Sequence, residues 1–389
     1  MYVLPSYIVC DIFSRLSVQC SARSRCVSKV WCNYIDYVNP YIRVVEELPI
    51  LYHVIESIQT GTTHDYVLKP KEGPFLEFLR KKPLFEYSYA QIEVLGSCNG
   101  HICLSQDEYN IVTLLVVVHP LRKEYYELPP LPMRFESSMF RESCGLGFDA
   151  STNTLKMVLV LLKAYAPPDN LDMVRKDLCT MVHVFGTNSW REIPQVPSYP
   201  IAGKAIFANG CLHWLVSHLD APTQEGGRPV IWFDVEKEEF GLIDPPKRMG
   251  DLWRNYSCAY DHLVDLNGEV GYVCLRSMEV WVLKQKEWVP HCRFEKQIVP
   301  YGDIEVLGCW NKDGDMLITT IGDGNKFFVY NLKSGVLHKT NIVDPDDGCY
   351  PKFFMPRPNK LFSIHGIGTN SFTMKESRFK IKLPAFTIL

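Results

Sequence analysis

The chain lacks a long run of charge of one sign and a long hydrophobic run. Its 389 residues carry a formal net charge of -3 at pH 7, which gives no reason to expect a nucleic acid or an acidic membrane as main partner. The most apolar windows, residues 111–118 and 157–162, are far too short to cross a bilayer as helices. We therefore expect neither nucleic-acid binding nor membrane insertion, and buried strands explain both windows better.

The chain also lacks the common catalytic motifs. No segment matches G-x-S-x-G, H-E-x-x-H or a phosphate-binding P-loop. Gly145, Gly147 and Ala150 have the spacing of a dinucleotide-binding fingerprint. The residues that follow them are typical of a turn and a strand, whereas the fingerprint requires a helix there. Cys98 and Cys103 flank an Asn-Gly turn without a second Cys or His pair nearby. The sequence predicts no catalytic residue, no metal site and no cofactor.

A secretory signal is not expected either. The N-terminus has no basic segment, and Asp11 interrupts its apolar run. The 14 cysteines are scattered through apolar runs of a long chain, as Cys103, Cys211 and Cys274 are. That placement is typical of small buried residues rather than of a disulfide framework. We therefore expect reduced thiols and a location in the cytoplasm, the nucleus or both.

The N-terminal region has helical spacing. Ile8, Ile12 and Leu16 recur at four-residue steps and form one apolar stripe. Ser6 stands where a helix N-cap is favoured, and a second helical segment runs from about residue 28 to residue 38. A helical unit of this size is too small to bury all its apolar residues internally, so another surface must cover some of them.

Beyond about residue 45 the pattern changes to short runs rich in Val, Ile, Tyr, Phe and Trp, separated by Gly, Asn, Asp and Pro. This pattern predicts an all-β structure. One unit, two apolar runs joined by a turn dipeptide, recurs at residues 94–105, 205–216 and 265–276, with a looser copy at 306–319. Asn-Gly and Asp-Gly favour the turns that join two antiparallel strands.

A second unit follows each time and closes on a proline. The closing prolines are Pro129, Pro194, Pro245, Pro290 and Pro345. A period near ~50 residues with about four strands per unit predicts a kelch-like β-propeller, because a single blade cannot bury both of its faces. An irregular stack of β-sandwiches is the alternative. Strand patterns in residues 50–90 and 350–389 suggest a further blade in which the chain ends pair, so we predict six blades, with seven possible.

The N-terminal residues carry a family resemblance. Residues 4–35 read LPSYIVCDIFSRLSVQCSARSRCVSKVWCNYI and resemble the F-box, a three-helix motif, in its plant form. The matching positions are Leu4, Pro5, Ile8, Asp11, Ile12, Ser14, Arg15, Leu16, Val18, Arg23, Arg25, Cys26, Val27, Ser28, Lys29, Trp31 and Ile35. The remainder resembles the F-box-associated, kelch-like region of plant F-box proteins, in VLGSCNGHICLS (94–105) and GLGFDASTNTLKMV (145–158) among other segments.

The resemblance implies two domains and a function. Residues 1–43 are expected to be the F-box, and residues 44–389 the F-box-associated propeller. By resemblance, the F-box binds a Skp-type adaptor that links it to a cullin and a RING subunit, in an SCF ubiquitin ligase complex. The propeller then presents an unidentified substrate protein for ubiquitin conjugation, and the chain contributes no catalytic group. The alternative is a non-degradative propeller scaffold with a degenerate F-box.

The resemblance also assigns residues. The positions expected to bind the adaptor are Leu4, Pro5, Ile8, Ile12, Leu16, Val18, Cys26, Val27 and Trp31. Three long connections are candidates for substrate binding: residues 134–143 near Phe135, 164–177 near Asp169 and 217–229 near Asp220.

The centre of the F-box departs from the family pattern. Ser17, Ser21, Ala22 and Ser24 stand where the family has Pro, Leu, Leu and Phe. Replacing a fully buried Leu or Phe by a small residue forfeits roughly 2–5 kcal/mol, and less at the edge of an interface. The sequence therefore leaves open whether this copy binds the adaptor weakly or not at all.

Overall fold

The computed structural model of the chain describes eight N-terminal positions (8, 9, 12, 24, 27, 28, 30 and 31) and most of the β region. In the β region the described residues are 50–57, 62–70, 76–78, 85–87, 91–108, 111–119, 124–135, 142–163, 171–220, 227–247, 261–274, 277–294, 303–310, 314–321, 326–343 and 352–354.

The described strands form one irregular sheet and five regular ones. The irregular sheet, sheet A, contains β1 (Ile50–Ser57), β2 (Thr62–Pro70), β3 (Leu76–Phe78), β4 (Phe85–Tyr87) and, from near the C-terminus, β25 (Lys352–Phe354). Blade 1 contains β5 (Gln91–Cys98), β6 (His101–Glu108), β7 (Ile111–His119) and β8 (Glu124–Glu127). Blade 2 contains β9 (Ser143–Asp149), β10 (Thr154–Leu162), β11 (Leu178–Val184) and β12 (Arg191–Ile193).

The remaining blades follow the same plan. Blade 3 contains β13 (Ile201–Ala208), β14 (Cys211–Val216), β15 (Val230–Asp234) and β16 (Glu239–Ile243). Blade 4 contains β17 (His262–Leu266), β18 (Glu269–Cys274), β19 (Glu279–Lys284) and β20 (Glu287–Arg293). Blade 5 contains β21 (Asp303–Cys309), β22 (Met316–Ile321), β23 (Lys326–Asn331) and β24 (Val336–Val343). A short helix, α1 (Leu171–Asp177), lies between β10 and β11.

The predicted Asn-Gly hairpins are present at the start of blades 1, 3 and 4. Asn99, Asn209 and Asn267 each have positive φ, as do the glycines that follow them. Positive φ at both central residues matches the twist of two antiparallel strands, which is why Asn-Gly suits these turns. Each of these turns joins the first strand of a blade to the second.

The five blades form a β-propeller. The first strands β5, β9, β13, β17 and β21 contact one another in succession, and β5 also contacts β13. The first strands therefore lie at the axis, and the fourth strands lie at the rim. This arrangement excludes the irregular stack of sandwiches.

The blades have two unlike faces. Because neighbouring strands are antiparallel, the turns between first and second strands and between third and fourth strands lie on one face, the tight-turn face. The connections between second and third strands and between blades lie on the opposite face, the loop face. Every long connection that was a substrate-binding candidate belongs to the loop face.

The prediction of six blades is not supported. Sheet A has the order β25-β1-β2-β3 with β4 also paired to β2, and β3, β4 and β25 are only three residues long, so this sheet is less regular than the five blades. The expected pairing of the chain ends is present, because β25 lies antiparallel to β1. Pro129, Pro194 and Pro245 follow fourth strands, whereas Pro290 lies inside the rim strand β20, where a missing N–H is tolerated.

Blades 2 and 3 pack through glycine and tryptophan. Trp214 is fully buried, and its indole N–H donates to the carbonyl of Cys144 at 3.1 Å. A Cβ on Gly145 would lie 2.7 Å from Cζ2 of Trp214, and one on Gly147 would lie 2.6 Å from a methyl of Val235. The two glycines of the dinucleotide-like pattern therefore leave room for the side chains of the next blade.

A buried charge cluster joins the same two blades on the tight-turn face. The ammonium group of Lys156 contacts carboxylate oxygens of Asp149 and Glu238, both at 3.0 Å, and donates to the carbonyl of Val235 at 2.8 Å. Arg191 forms a second ion pair with Glu238. Burial opposes ionisation of Asp149, but hydrogen bonds from Ser151, Lys156 and Thr152 outweigh it and lower the pKa to about 2.

We expect Gly145→Ala to destabilise the propeller by about 1–3 kcal/mol, because the added methyl overlaps Trp214. Gly96→Ala is the matched control: its Cβ would meet Ala205 O at an ordinary 3.5 Å. Denaturant unfolding of the full chain measures both. Equal destabilisation by the two substitutions would contradict the packing role of Gly145.

We also expect Asp149 to make stability depend on pH. Its pKa in the folded state is about 2, below the ordinary 3.8, so its stabilising contribution is complete above about pH 4 and is lost as the pH falls toward 2. The unfolding free energy of Asp149→Asn should therefore fall less between pH 5 and pH 2.5 than that of the unsubstituted chain. Parallel pH profiles for the two proteins would show that this carboxylate is not responsible.

Candidate functional site

The described N-terminal residues include the start of a capped helix. Val30 and Trp31 are helical, and the backbone N–H of Trp31 donates to the hydroxyl of Ser28 at 3.1 Å. A serine three residues before the donor is the usual N-cap arrangement. The backbone N–H of Val27 donates to the carbonyl of Ser24 at 3.1 Å, which closes the turn that precedes this helix. The predicted start of the second helical segment near residue 28 is therefore present.

Large apolar side chains are exposed among the described N-terminal residues. The exposed fractions are 45% for Ile12, 64% for Val27, 60% for Val30 and 41% for Trp31. Val30 and Trp31 lie in the first turn of this helix, and Val27 lies in the turn that precedes its N-cap. Ile8, in the first helical segment, is half-buried. The whole chain therefore leaves these apolar groups accessible to another molecule.

The structure describes four of the nine residues expected to bind the adaptor: Ile8, Ile12, Val27 and Trp31. The other five lie outside the described residues: Leu4, Pro5, Leu16, Val18 and Cys26. Of the four altered positions at the centre of the motif, only Ser24 is described, and it is helical and half-buried.

The three candidate substrate connections lie on one face. Residues 134–143 join blade 1 to blade 2, while residues 164–177 and 217–229 join second to third strands within blades 2 and 3. Antiparallel pairing places all three on the loop face. The sequence alone offered these connections because of their length, without a reason for them to converge.

Phe135 and Asp220, which lie in two of these connections, are not surface groups. Phe135 is fully buried in the apolar core between blades 1 and 2, and Asp220 is also buried. Both side chains therefore pack against the propeller, and substrate binding by the connections near them stays a prediction. Asp169 lies outside the described residues.

Three other apolar residues of the loop face are exposed. Met173 in α1, Val196 in the connection from blade 2 to blade 3 and Leu219 in blade 3 are all exposed. Their exposure is not visible in the sequence, because a single apolar residue in a polar connection has no periodic signal.

Contacts join α1, the connection from blade 2 to blade 3 and the connection between β14 and β15. The guanidinium of Arg175 in α1 lies 4.4 Å from the centre of the Tyr199 ring. One residue later, the carbonyl of Pro200 accepts the backbone N–H of Ser217 at 2.8 Å. The hydroxyl of Ser217 in turn accepts the N–H of Leu219 at 3.3 Å.

Burial keeps several titratable side chains of the described blades uncharged, so they contribute to packing rather than to chemistry. Burial lowers the pKa of His213 to about 4, so the imidazole is neutral. Burial raises the pKa of Cys98 and raises that of Cys292 to about 12, so these thiols are not activated as thiolates. Within the described part of the chain, no three His, Cys, Asp or Glu side chains are grouped to hold a metal. A helix long and apolar enough to cross a membrane is likewise absent from the described residues.

Comparison with known proteins gives two family matches. Residues 2–43 match the F-box domain, and residues 72–359 match the F-box associated beta propeller domain. Neither family description names kelch repeats, so the kelch type of the prediction is not confirmed.

Similar proteins from Arabidopsis thaliana agree with both matches. F-box protein CPR1 is 25% identical over 73% of this chain and 70% of its own length. Putative F-box protein At1g53550 is 23% identical over 88% of this chain and 86% of its own length. F-box protein At3g07870 is 24% identical over 72% of this chain and 69% of its own length. The chain therefore belongs to the family of F-box proteins that carry an F-box associated beta propeller domain.

Proposed function

We propose that this protein is a substrate-recognition subunit of an SCF-type ubiquitin ligase. Residues 1–43 form the F-box that binds a Skp-type adaptor, and through it the cullin and RING subunits. Residues 44–389 form the domain that binds a substrate protein for ubiquitin conjugation. The chain itself carries no catalytic group, and we propose that it acts in the cytoplasm, the nucleus or both.

The exposed apolar helix supports the adaptor role. Val27, Val30 and Trp31 remain largely exposed in a chain whose blades bury their apolar residues well. Exposed aromatic and aliphatic side chains on a helix are the usual anchors of a helix-mediated interface. Val27 and Trp31 occupy motif positions that bind the adaptor in the family that this chain resembles. We propose the full adaptor-binding set as Leu4, Pro5, Ile8, Ile12, Leu16, Val18, Cys26, Val27 and Trp31.

The loop face is the proposed substrate-binding face. Six of its connections between described strands have seven residues or more, and they carry the exposed Met173, Val196 and Leu219. The tight-turn face, in contrast, is formed by turns of two to six residues and carries the buried ion cluster around Lys156. Longer connections offer more variable contact surface, so a substrate is more readily recognised there.

The polar centre of the F-box supports a second candidate function. Ser17, Ser21, Ala22 and Ser24 replace apolar family positions, so this chain retains less apolar surface for the adaptor. A chain whose F-box no longer binds the adaptor would be a non-degradative propeller scaffold. Adaptor affinity is the measurement that separates the two functions.

We expect Val27→Asp to weaken binding of the full chain to a purified Skp-type adaptor by tenfold or more, about 1.4 kcal/mol or above, because the interface would bury an unpaired carboxylate. Val336→Asp is the matched control, since Val336 is an exposed valine on the rim strand β24. Isothermal calorimetry measures both. The ligase function is wrong if the unsubstituted chain shows no binding at micromolar concentrations, and the assigned face is wrong if both substitutions weaken binding equally.

We expect the double substitution Ser21→Leu and Ser24→Phe to strengthen adaptor binding, because it restores two apolar side chains of the family pattern. A gain of about tenfold corresponds to half-buried positions at an interface edge. The control is the pair of polar changes Ser21→Asn and Ser24→Asn, which add volume without apolar surface. If the apolar pair does not exceed the polar pair in affinity, these positions do not face the adaptor.

A further inference from the structure

His183 lies where the rim strand of blade 1 meets the turn between β11 and β12 of blade 2, on the tight-turn face. Its imidazole is fully buried. Nδ1 lies 3.1 Å from the carbonyl oxygen of Ser189, and Nε2 lies 3.3 Å from the hydroxyl oxygen of Tyr126 in β8. The same hydroxyl lies 3.2 Å from the carbonyl oxygen of Thr187. One side chain of blade 1 therefore meets two hydrogen-bonding groups of blade 2.

This network is one proton short when His183 is neutral. A carbonyl oxygen only accepts, so the contact with Ser189 places the single ring proton on Nδ1 and leaves Nε2 as an acceptor. Nε2 and the carbonyl of Thr187 then compete for the one hydroxyl proton of Tyr126. Nε2 is buried, whereas Thr187 is an exposed residue whose carbonyl water can reach, so the hydroxyl donates to Nε2. A second proton on the imidazole supplies the missing donor.

Aromatic packing holds both rings in place. The ring centre of Tyr126 lies 4.7 Å from that of Phe185, and the ring centre of His183 lies 5.3 Å from the Trp190 ring. The indole N–H of Trp190 donates to the carbonyl of Pro129 at 3.0 Å, which ties the turn to blade 1 a second time. A change of hydrogen bonds in this network therefore needs the rotation of a hydroxyl proton and no movement of a ring.

The charged side chains of the neighbouring strands are engaged elsewhere. The ion pairs are Lys156 of β10 with Asp149 and Glu238, Arg191 of β12 with Glu238, and Glu192 of β12 with Lys163. Glu127 follows Tyr126 in β8, so alternation along the strand turns it to the other side. Residues 185–190 include no titratable side chain. Burial and, to a smaller extent, the carbonyl of Ser189 set the pKa of His183, and burial lowers it from the ordinary 6.5.

We propose that Tyr126 and His183 form a proton-operated hydrogen-bond switch between blades 1 and 2. With His183 neutral, the Tyr126 hydroxyl donates to Nε2. When a proton from solvent binds Nε2, the new N–H donates to the hydroxyl oxygen, and the hydroxyl proton turns to the carbonyl of Thr187. Acid therefore adds one tie between blade 1 and the turn of residues 185–190. The switch lies on the tight-turn face and is independent of adaptor and substrate binding.

Nitrogen NMR of the full chain with labelled histidine tests the switch without any substitution. At about pH 8 a histidine is neutral, and we expect the His183 proton on Nδ1. As the pH falls to about 5, Nε2 should gain a proton with a midpoint below 6.5. A His183→Gln variant identifies which signal belongs to this ring. A proton on Nε2 at pH 8, or a ring that stays neutral down to pH 5, overturns the proposal.

Tyr126→Phe should lower the pKa of His183 further, by about 0.5–1, because the imidazolium loses the oxygen that accepts its Nε2–H. A hydrogen bond from a charged donor is stronger than the neutral bond that the other form loses. Tyr199→Phe is the matched control, since Tyr199 is a half-buried tyrosine on the opposite side of blade 2, beside Arg175. It should leave the pKa of His183 unchanged. Equal shifts in both variants, or none in Tyr126→Phe, overturn the switch.

The pH dependence of unfolding gives a second readout. A histidine whose pKa is lowered by folding gives stability that is complete above pH 6.5 and is lost as the pH falls through the folded pKa. Because Tyr126→Phe lowers that pKa further, its destabilisation relative to the unsubstituted chain should be larger at about pH 5 than at about pH 8. A merely structural role of the hydroxyl predicts equal destabilisation at both pH values, and that result would count against the switch.

Discussion

The packing of one blade face against the next is the constraint on which the structure depends. A four-stranded blade has two apolar faces and cannot bury either by itself, so each blade must fit its neighbour closely. Between blades 2 and 3 this fit is made by Trp214 lying against Gly145, with Gly147 giving space to Val235. The spacing of these glycines, which resembles a nucleotide-binding fingerprint, has a packing cause. It is set by the alternation of side chains along β9.

Local chemistry made much of the fold predictable. An Asn-Gly dipeptide predicts a hairpin between the first two strands of a blade, because few other dipeptides adopt positive φ at both residues without strain. The five proline-ended units correspond to five blades, since Pro ends or borders a rim strand. The prediction of six blades is not supported, because the strands within residues 50–90 pair in the irregular sheet A. The pairing of β1 with the distant β25 is not visible in sequence spacing.

The site was less predictable than the fold, for a related reason. The length of a connection is visible in the sequence, but the burial of Phe135 or Asp220 depends on groups far away in the chain. The same holds for charged residues. In the sequence, Lys156 does not differ from an ordinary surface lysine. In the structure, its ammonium group lies 3.0 Å from a carboxylate oxygen of Glu238, 82 residues later. Sequence motifs thus located the F-box and the blades, whereas the roles of individual polar residues required the structure.

The junction between the two family matches limits how the parts of the molecule act together. The F-box match ends at residue 43, and β1 begins at Ile50, so six residues separate them. An extended connection of that length spans at most about 25 Å. Because β1 is paired with β2 and with β25, the propeller side of the junction is fixed. Under the proposed function, a substrate on the loop face is therefore held within a limited range of distances from the adaptor, a condition for ubiquitin transfer by a subunit without catalytic groups.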